Sequence, residues 1–422
     1  MRLERDSAEH GEEFEHGSPL ARPAFRWFLA SRLCAVTATQ MVSVAIAWQV
    51  YERTGDPLAL GLSGLFQFVP LAVLAPFTGT AADRWDRRRL LVACHLVFLA
   101  GVFALLEIGG RAELGVAPIY GVLAVLGAVR AFWMPTGQAL LPALVPQAEF
   151  ARAVAWSSAN FQVASIGGPA LGGALLGVGD ARTVYLASAA LVLAALVFLL
   201  RMRFRPEARA ASAGGPGELF AGFRYVRSQR VILGAISLYL FAVLLGGAVA
   251  LMPIFAEEIL HAGAFGLGLL RSAPALGAGL VGLYLAFHPI RRAAGRRMFA
   301  CVALFGLATL VFGLSRSFPL SFLALVVLGG ADMVSVVIRQ TVVQIQTPPE
   351  MRGRVAAVNG VFIGASNELG ELESGVTAAW LGTVPAVLAG GVGTLLITWL
   401  WIRLFPELWR IERPEDLHGP TG

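Results

Sequence analysis

Twelve separate stretches of this 422-residue chain are each long and apolar enough to cross a lipid bilayer as a helix. Such a helix needs about 20 mainly apolar residues. The predicted spans are approximately 28–50, 58–82, 90–109, 115–138, 154–178, 183–202, 229–256, 264–289, 298–315, 318–343, 355–381 and 386–405. Only 14% of the residues are charged, whereas soluble chains carry about a quarter. The sequence therefore predicts an all-α membrane protein.

The basic residues predict how the chain is oriented in the membrane. All 33 are arginines, and they recur in short clusters between the spans instead of forming one patch, which argues against a nucleic-acid partner. With a cytoplasmic N-terminus, 25 arginines lie on the cytoplasmic side. Only Arg53, Arg111, Arg182 and Arg316 then lie in the outer loops. This bias predicts that both termini are cytoplasmic, and the even number of spans agrees with it.

The chain divides into two halves of six spans. We predict a cytoplasmic tail over 1–24, a first bundle over 25–203, a linker over 204–228, a second bundle over 229–406 and a C-terminal tail over 407–422. Residues of the two halves match at an offset of 202, and the matches include Gln138 with Gln340, Pro146 with Pro348, Arg152 with Arg354, Gly168 with Gly370 and Gly173 with Gly375. Repeated halves of this kind predict two pseudo-symmetric bundles.

The loop after the second span carries a recognisable motif. Gly79 is followed by Asp83-Arg84-Trp85-Asp86-Arg87-Arg88-Arg89. It resembles the signature between helices 2 and 3 of the major facilitator superfamily, which implies a gate motif of Gly79, Asp83, Arg84, Arg87 and Arg88. Asp86 stands where that signature usually has glycine. The alternative is a cluster of arginines that only fixes the topology.

The fifth span carries a second motif, Gly167-Gly168-Pro169-Ala170-Leu171-Gly172-Gly173. Gly168, Pro169, Gly172 and Gly173 resemble the motif of antiporter-type family members, which export their cargo. Glycine and proline would bend the helix and let its neighbours approach closely. Ordinary packing of small residues is the alternative, because the chain contains 48 glycines.

Acidic residues inside the spans are candidates for proton coupling. Glu368 and Glu371 lie three residues apart on one helical face with Asn367, and Asp332 lies in the tenth span. An ionised carboxylate in hydrocarbon must pair or take a proton, as a proton carrier does. Alternatively, these acids pair with Arg339 or Arg271, or lie beside a water-filled vestibule.

Other polar residues in the spans are candidates for a cavity. Arg130 and Arg339 are charged, so they are expected to face the protein interior and to serve a cavity, a gate or an ion pair. The uncharged candidates are Gln40, Gln67, Asn160 and Gln162.

Three segments, YERTGDPLALG, DRWDRRRLL and QTPPEMRGRVAAVNGVFIGASNELGELESG, resemble the bacterial branch of the major facilitator superfamily that includes enterobactin exporters and similar efflux proteins. The resemblance implies the major facilitator fold, with a central cavity lined by helices 1, 2, 4, 5, 7, 8, 10 and 11. It also places helix 3 at the lipid-facing periphery, so His95 is expected to bond locally.

The resemblance further implies alternating access, a small amphiphilic cargo, protons as the coupling ion, and a bacterial inner-membrane location as a monomer. No nucleotide loop, zinc motif or nucleophile elbow is present in the sequence, so we expect no enzyme activity, no cofactor and no metal. An importer or lipid flippase of the same fold is the first alternative. A non-transporting membrane partner or sensor is the second.

Overall fold

The computed structural model describes residues 18–202, 216–290 and 292–412. Within α-helices and short turns, it leaves out the side chains of residues 76, 79–84, 112, 216–219, 349 and 357. Most of the predicted N-terminal tail, half of the predicted linker and most of the C-terminal tail therefore lie outside the described residues.

Twelve long helices are present in the described ranges. They are α1 Pro23–Thr54, α2 Pro57–Arg84, α3 Arg87–Gly109, α4 Ala117–Leu144, α5 Phe150–Val178, α6 Ala181–Arg201, α7 Arg230–Ile259, α8 Gly263–Phe287, α9 Ala294–Leu314, α10 Phe318–Gln346, α11 Arg352–Leu381 and α12 Thr383–Leu404. A connector helix, Pro216–Ser228, precedes α7. Each predicted span corresponds to one of the twelve helices, and several helices extend beyond the apolar stretch that predicted them.

Eleven of these helices are long and apolar enough to cross a membrane by composition alone. The exception is α11, although it is 30 residues long. Its middle contains Asn367, Glu368, Glu371 and Glu373, which lower its mean hydropathy. Polar residues of this kind are expensive in hydrocarbon unless the helix lies among other helices.

Local sequence explains several helix boundaries. Gly55 adopts a left-handed φ of +58° and separates α1 from α2, and Gly382 at φ +90° separates α11 from α12. Asp86 accepts a hydrogen bond from the backbone N–H of Arg89 and so caps α3. Asp86, which stands where the family signature usually has glycine, therefore caps the start of α3, and aspartate is a favoured residue at such a position.

The helix α7 is interrupted. Its regular part ends at Gly246, and a short 3-10 turn and a π-helical turn continue it to Ile259. The carbonyl oxygen of Gly247 accepts a hydrogen bond of 2.8 Å from the hydroxyl of Ser374 on α11. A neighbouring helix thus satisfies a backbone group that the break leaves free, as membrane helices require.

The two halves pack in the same way. In the first half, α1 packs on α5 and α6, α2 on α4, and α3 on α4 and α6. In the second half, the corresponding helices repeat these contacts: α7 packs on α11 and α12, α8 on α10, and α9 on α10 and α12. The halves meet mainly along two seams, α2 against α11 and α5 against α8. This is the predicted arrangement of two pseudo-symmetric six-helix bundles.

We call the end of the bundle where α1 begins and α12 ends the terminal face, and the opposite end the distal face. Near the distal face each seam contains a crossing of two glycines. A Cβ built on Gly173 would lie 2.6 Å from the Cα of Gly268, and one built on Gly375 would lie 2.7 Å from the Cα of Gly61. Only glycine permits backbones this close, so both seams are closed on the distal side.

Candidate functional site

A cavity of about 270 Å³ lies inside the first half of the protein. Its described lining comes from α1 to α6 and consists of Phe28, Ser31, Arg32, Val36, Thr39, Gln40, Val42, Ser43, Ile46, Gln67, Leu91, His95, Phe98, Leu123, Leu126, Val129, Arg130, Trp133, Met134, Gly137, Gln138, Phe161 and Leu199. The family resemblance implied a cavity lined by both halves and not by helix 3. This cavity differs because α3 turns one face toward α1 and α4, so it contributes Leu91, His95 and Phe98.

A charged link between the halves lies at Arg130, which lines this cavity from α4. Its Nη1 lies 2.5 Å from Oε1 of Glu368 on α11. Glu368 is 5% exposed, whereas the side chain of Arg130 is 38% exposed. A carboxylate this buried is stabilised by its charged partner, and removing that partner would leave it unpaired.

A second arginine approaches the same acids from α8. Nη1 of Arg271 donates a 3.0 Å hydrogen bond to the hydroxyl of Ser43, which lines the cavity from α1. Arg271 lies within electrostatic range of both Glu368 and Glu371. The side chain of Glu371 packs against Gly64 of α2. A Cβ built on Gly64 would lie 2.9 Å from Oε2 of Glu371. Two arginines and two carboxylates therefore meet where the halves join.

Arg339 does not join this group. It is 2% exposed, and its guanidinium carbon lies 3.7 Å from the ring centre of Tyr239 on α7. Among the described residues, none of its three side-chain nitrogens has a hydrogen bond of normal geometry. Asp332 acts electrostatically on both Arg339 and Tyr239. Arg339, Tyr239 and Asp332 thus form a cluster within the second half. The alternative in which Arg339 pairs with the acids of α11 is wrong for Glu368, because the partner of Glu368 is Arg130.

The uncharged candidates divide between the cavity and the helix contacts. Gln40 and Gln67 line the cavity. The amide nitrogen of Asn160 donates to the carbonyl of Leu29 at 3.1 Å. The side chain of Gln162 donates to the carbonyl of Ala275 on α8, and that of Asn367 donates to Ile363 in its own helix.

The described part of the predicted gate motif contacts the ends of neighbouring helices. Arg87 Nη1 donates to the carbonyl of Ala139 at 2.9 Å, and Arg88 Nε donates to that of Leu199 at 3.0 Å. Both carbonyls lie near the C-terminal ends of α4 and α6, where cations are favoured. The side chains of Asp83 and Arg84, and the surroundings of Gly79, lie outside the described residues.

The glycines of the fifth span serve two contacts. Gly168 packs against Gln40, and Gly172 against Met41, both on α1. Gly173 forms the crossing with Gly268 of α8, and the carbonyl of Pro169 faces the same glycine. The motif therefore lets α5 approach a helix of its own half and a helix of the other half.

Three charged or titratable residues at the cavity or the seam were not candidate site residues, although the sequence offered Arg271 as a partner of the acids and His95 as a locally bonded side chain. Arg32 lines the cavity, donates to the hydroxyl of Ser157 and lies 5.9 Å from the ring centre of Phe161. Arg271 and His95 are the other two. A charged or imidazole side chain inside an apolar span was the available signal for all three. His95 was expected to bond locally, and its Nδ1 does lie 2.6 Å from the carbonyl oxygen of Leu91.

Comparison with known proteins agrees with this architecture. The model of the Major Facilitator Superfamily matches residues 28–371. The enterobactin exporter EntS of Citrobacter koseri is 29% identical over 416 residues, covering 95% of this chain and 95% of that protein. The enterobactin exporter EntS of Escherichia coli O1:K1 is 28% identical over 409 residues, covering 93% and 94%.

Solved structures show the same fold at low identity. The POT family transporter PepTSo superposes with a TM-score of 0.72 at 12% identity, covering 91% of this chain and 98% of that one. The nucleoside transporter NupG superposes with a TM-score of 0.68 at 15% identity, covering 90% and 99%. With the family model matched over most of the length and twelve helices in two alike halves, this chain is a multi-pass membrane transporter and belongs to the Major Facilitator Superfamily.

Proposed function

We propose that this transporter is a proton-coupled exporter of a small amphiphilic molecule, working by alternating access as a monomer in a bacterial inner membrane. The observation that carries the proposal is the ion pair between Arg130 and Glu368, which joins the two halves beside a cavity. The terminal face is taken as cytoplasmic because 25 of the 33 arginines then lie on that side.

The coupling step follows from the chemistry of the pair. Glu368 accepts a hydrogen bond from Arg130, and Glu371 lies one turn away on the same face of α11. A proton taken up by Glu368 removes the charge that holds Arg130. The halves then lose their charged link near the cavity and become free to move relative to each other.

The conformation supports uptake of cargo from the terminal side. The two glycine crossings close the seams near the distal face. The cavity reaches toward the opposite end, since Phe28 lies near the start of α1 and Leu199 near the end of α6. Large apolar residues in the terminal half of α2, including Val73 and Phe77, are exposed. A cavity reached from the cytoplasm is what an exporter needs to load.

Two further features favour export over import. The glycine and proline motif of α5 resembles that of antiporter-type members, and the curated relatives described above are named enterobactin exporters. Enterobactin is therefore the first cargo to assay. Import or lipid flipping by the same fold is the competing function, and the direction of proton movement separates them.

The test uses inverted membrane vesicles that contain the protein and carry a pH gradient reported by a fluorescent dye. For the wild type we expect added enterobactin, or another cargo found by growth of a deletion strain, to release protons from the vesicles. Glu368→Gln and Glu371→Gln should each abolish this release. Glu373→Gln is the matched control, because Glu373 bonds to Thr377 of its own helix at 2.9 Å and lies away from Arg130.

Full proton release in both the Glu368 and the Glu371 variants would refute proton coupling at these residues. Cargo movement in the opposite direction would replace export with import. Cysteine labelling should place the start of α1 and the connector helix on the same, cytoplasmic side. Labelling them on opposite sides would overturn the orientation.

A further inference from the structure

The cavity in the first half has a chemical character that its position in the fold does not require. Its described lining includes two arginines, Arg32 and Arg130, and the imidazole of His95, but no aspartate or glutamate. Gln40, Gln67 and Gln138 add hydrogen-bonding groups. Since charges inside a membrane protein are costly, a cavity whose described lining carries arginines and no carboxylate is suited to an anion.

The two arginines are differently engaged. Arg130 is held by Glu368 at 2.5 Å, as described above. Arg32 has only neutral partners among the described residues, the hydroxyl of Ser157 and the ring of Phe161. A guanidinium presents five N–H donors, so most of those on Arg32 remain free for a ligand. Within the described part of the chain, Arg32 is therefore the cation of this cavity that lacks a negative partner.

His95 adds a polar side chain to the lining, from α3. It is 6% exposed, and its Nδ1 is occupied by the carbonyl of Leu91. Its Nε2 has no hydrogen-bond partner in the described part of the chain. A buried polar atom without a partner is uncommon, and a ligand in the adjoining cavity would satisfy Nε2 once the imidazole ring turns toward it, because less than 1 Å² of this atom is accessible as the ring stands.

The rest of the described lining is mainly apolar, and four aromatic rings lie among the aliphatic side chains. Phe28, Phe98, Trp133 and Phe161 contribute rings to the lining. Rings of this kind prefer offset or edge contacts with another ring, and one such contact already exists between His95 and Trp133, whose centres lie 5.9 Å apart. At about 270 Å³ the space is near the lower end for ligand cavities, so it fits one substituted ring and not a large molecule.

We infer that this cavity is a binding subsite for an aromatic acid, that is, a planar ring carrying a carboxylate or a similarly acidic group, which Arg32 and His95 hold inside the first half of the transporter. The inference deepens the proposed export function, because the aromatic acid is the cargo or the acidic ring of a larger cargo. It places part of the cargo within one half instead of between the two halves.

The experiment measures binding by calorimetry to the full-length protein in lipid nanodiscs, without a pH gradient. Salicylate is the aromatic acid, octanoate is an aliphatic acid, and benzyltrimethylammonium is an aromatic cation. We expect salicylate to bind saturably and the other two to bind at least about tenfold more weakly, because each lacks one of the two recognised features. Equal binding of the cation would refute the anionic subsite, and equal binding of octanoate would refute the aromatic one.

Two variants remove the recognising groups. Arg32→Gln and His95→Leu should each weaken salicylate binding about tenfold, the usual effect of losing one charge-assisted hydrogen bond. Arg316→Gln and His288→Leu are the controls. Arg316 is exposed in a loop, and His288 is exposed although its Nδ1 faces the carbonyl four residues earlier, just as that of His95 does. Unchanged binding in both cavity variants would overturn the assignment.

A third variant fills the cavity without removing a polar group. Gly137 lines the cavity, and a Cβ built on it meets nothing within 4 Å. Gly137→Leu should therefore fold and abolish salicylate binding. Gly121→Leu is the matched control, because Gly121 lies on the same helix, has equally open surroundings and lies outside the cavity lining. Normal binding by the Gly137 variant would refute the location.

Binding and export can fail separately. If salicylate does not bind the wild type, the subsite is refuted while proton release driven by another cargo still supports export. If salicylate binds as expected but Glu368→Gln retains full proton release, the subsite stands and the proposed coupling is refuted.

Discussion

The glycine crossing between α5 and α8 offers a direct way to shift this transporter between its conformations. A Cβ added at Gly173 would lie 2.6 Å from the Cα of Gly268 and 2.8 Å from the carbonyl oxygen of Ala264. Carbon atoms in contact are normally about 3.5–4.0 Å apart, so Gly173→Ala would force the two backbones apart by about 1 Å. The backbones cannot give way by changing a rotamer, and the strain falls on the distal-closed state.

Overpacking of this kind costs roughly 1–3 kcal/mol. In a state where the distal seam opens, α5 and α8 separate and the added methyl group is accommodated. The substitution should therefore shift the equilibrium away from the distal-closed state by a factor of about 5–150. In Gly173→Ala, the distal-closed state remains detectable only if the wild type strongly favours that state.

The shift can be measured by double electron–electron resonance. Spin labels at Glu52 and His261, which are exposed residues near the distal ends of the first and second halves, report the opening. The native Cys34, Cys94 and Cys301 are first replaced by alanine. We expect the fraction of long distances to rise in Gly173→Ala.

The control is Gly167→Ala, six residues earlier on the same helix. A Cβ there meets nothing within 4 Å, so its distance distribution should match that of the wild type. If Gly173→Ala is monodisperse and also matches the wild type, the crossing does not set the distal closure, and the reasoning is refuted.

Three further predictions concern single contacts. Tyr51→Phe removes the 2.8 Å hydrogen bond to Glu258 that links the halves at the distal face, so the same labels should show a smaller opening than in the glycine variant. Asp180→Ala removes the cap of α6 and should lower Tm by the equivalent of about 1 kcal/mol at pH 7. Hydrogen bonds from Thr183 hold the pKa of Asp180 below its usual 3.8, so this difference should shrink as the pH falls below 4, and a constant difference would contradict the cap. Glu149→Gln weakens the bidentate pair with the arginine that precedes α1, and an unfolding assay should show a loss of about 1 kcal/mol or less because that arginine is half-exposed; an unchanged Tm would show that the pair contributes nothing.

The sequence alone determined the number of helices, their approximate positions and the family. These properties depend on local composition, because a bilayer demands about 20 apolar residues for each crossing whatever the neighbours are. The repeat at an offset of 202 also predicted the paired halves, and the structure shows why Gly173 and Gly375 correspond: each forms a close crossing at one of the two seams. The acids of α11 were recognisable because they are expensive in lipid.

Only the tertiary structure decided which groups meet. Arg130 and Glu368 are 238 residues apart, and no local pattern links them, so the sequence could equally have paired the acids with Arg271 or Arg339. The cavity within the first half was also beyond the sequence, because it depends on which face α3 turns toward α1 and α4. Hydrophobicity determines that a segment enters the membrane, whereas the shapes of the packed helices determine what each polar side chain faces.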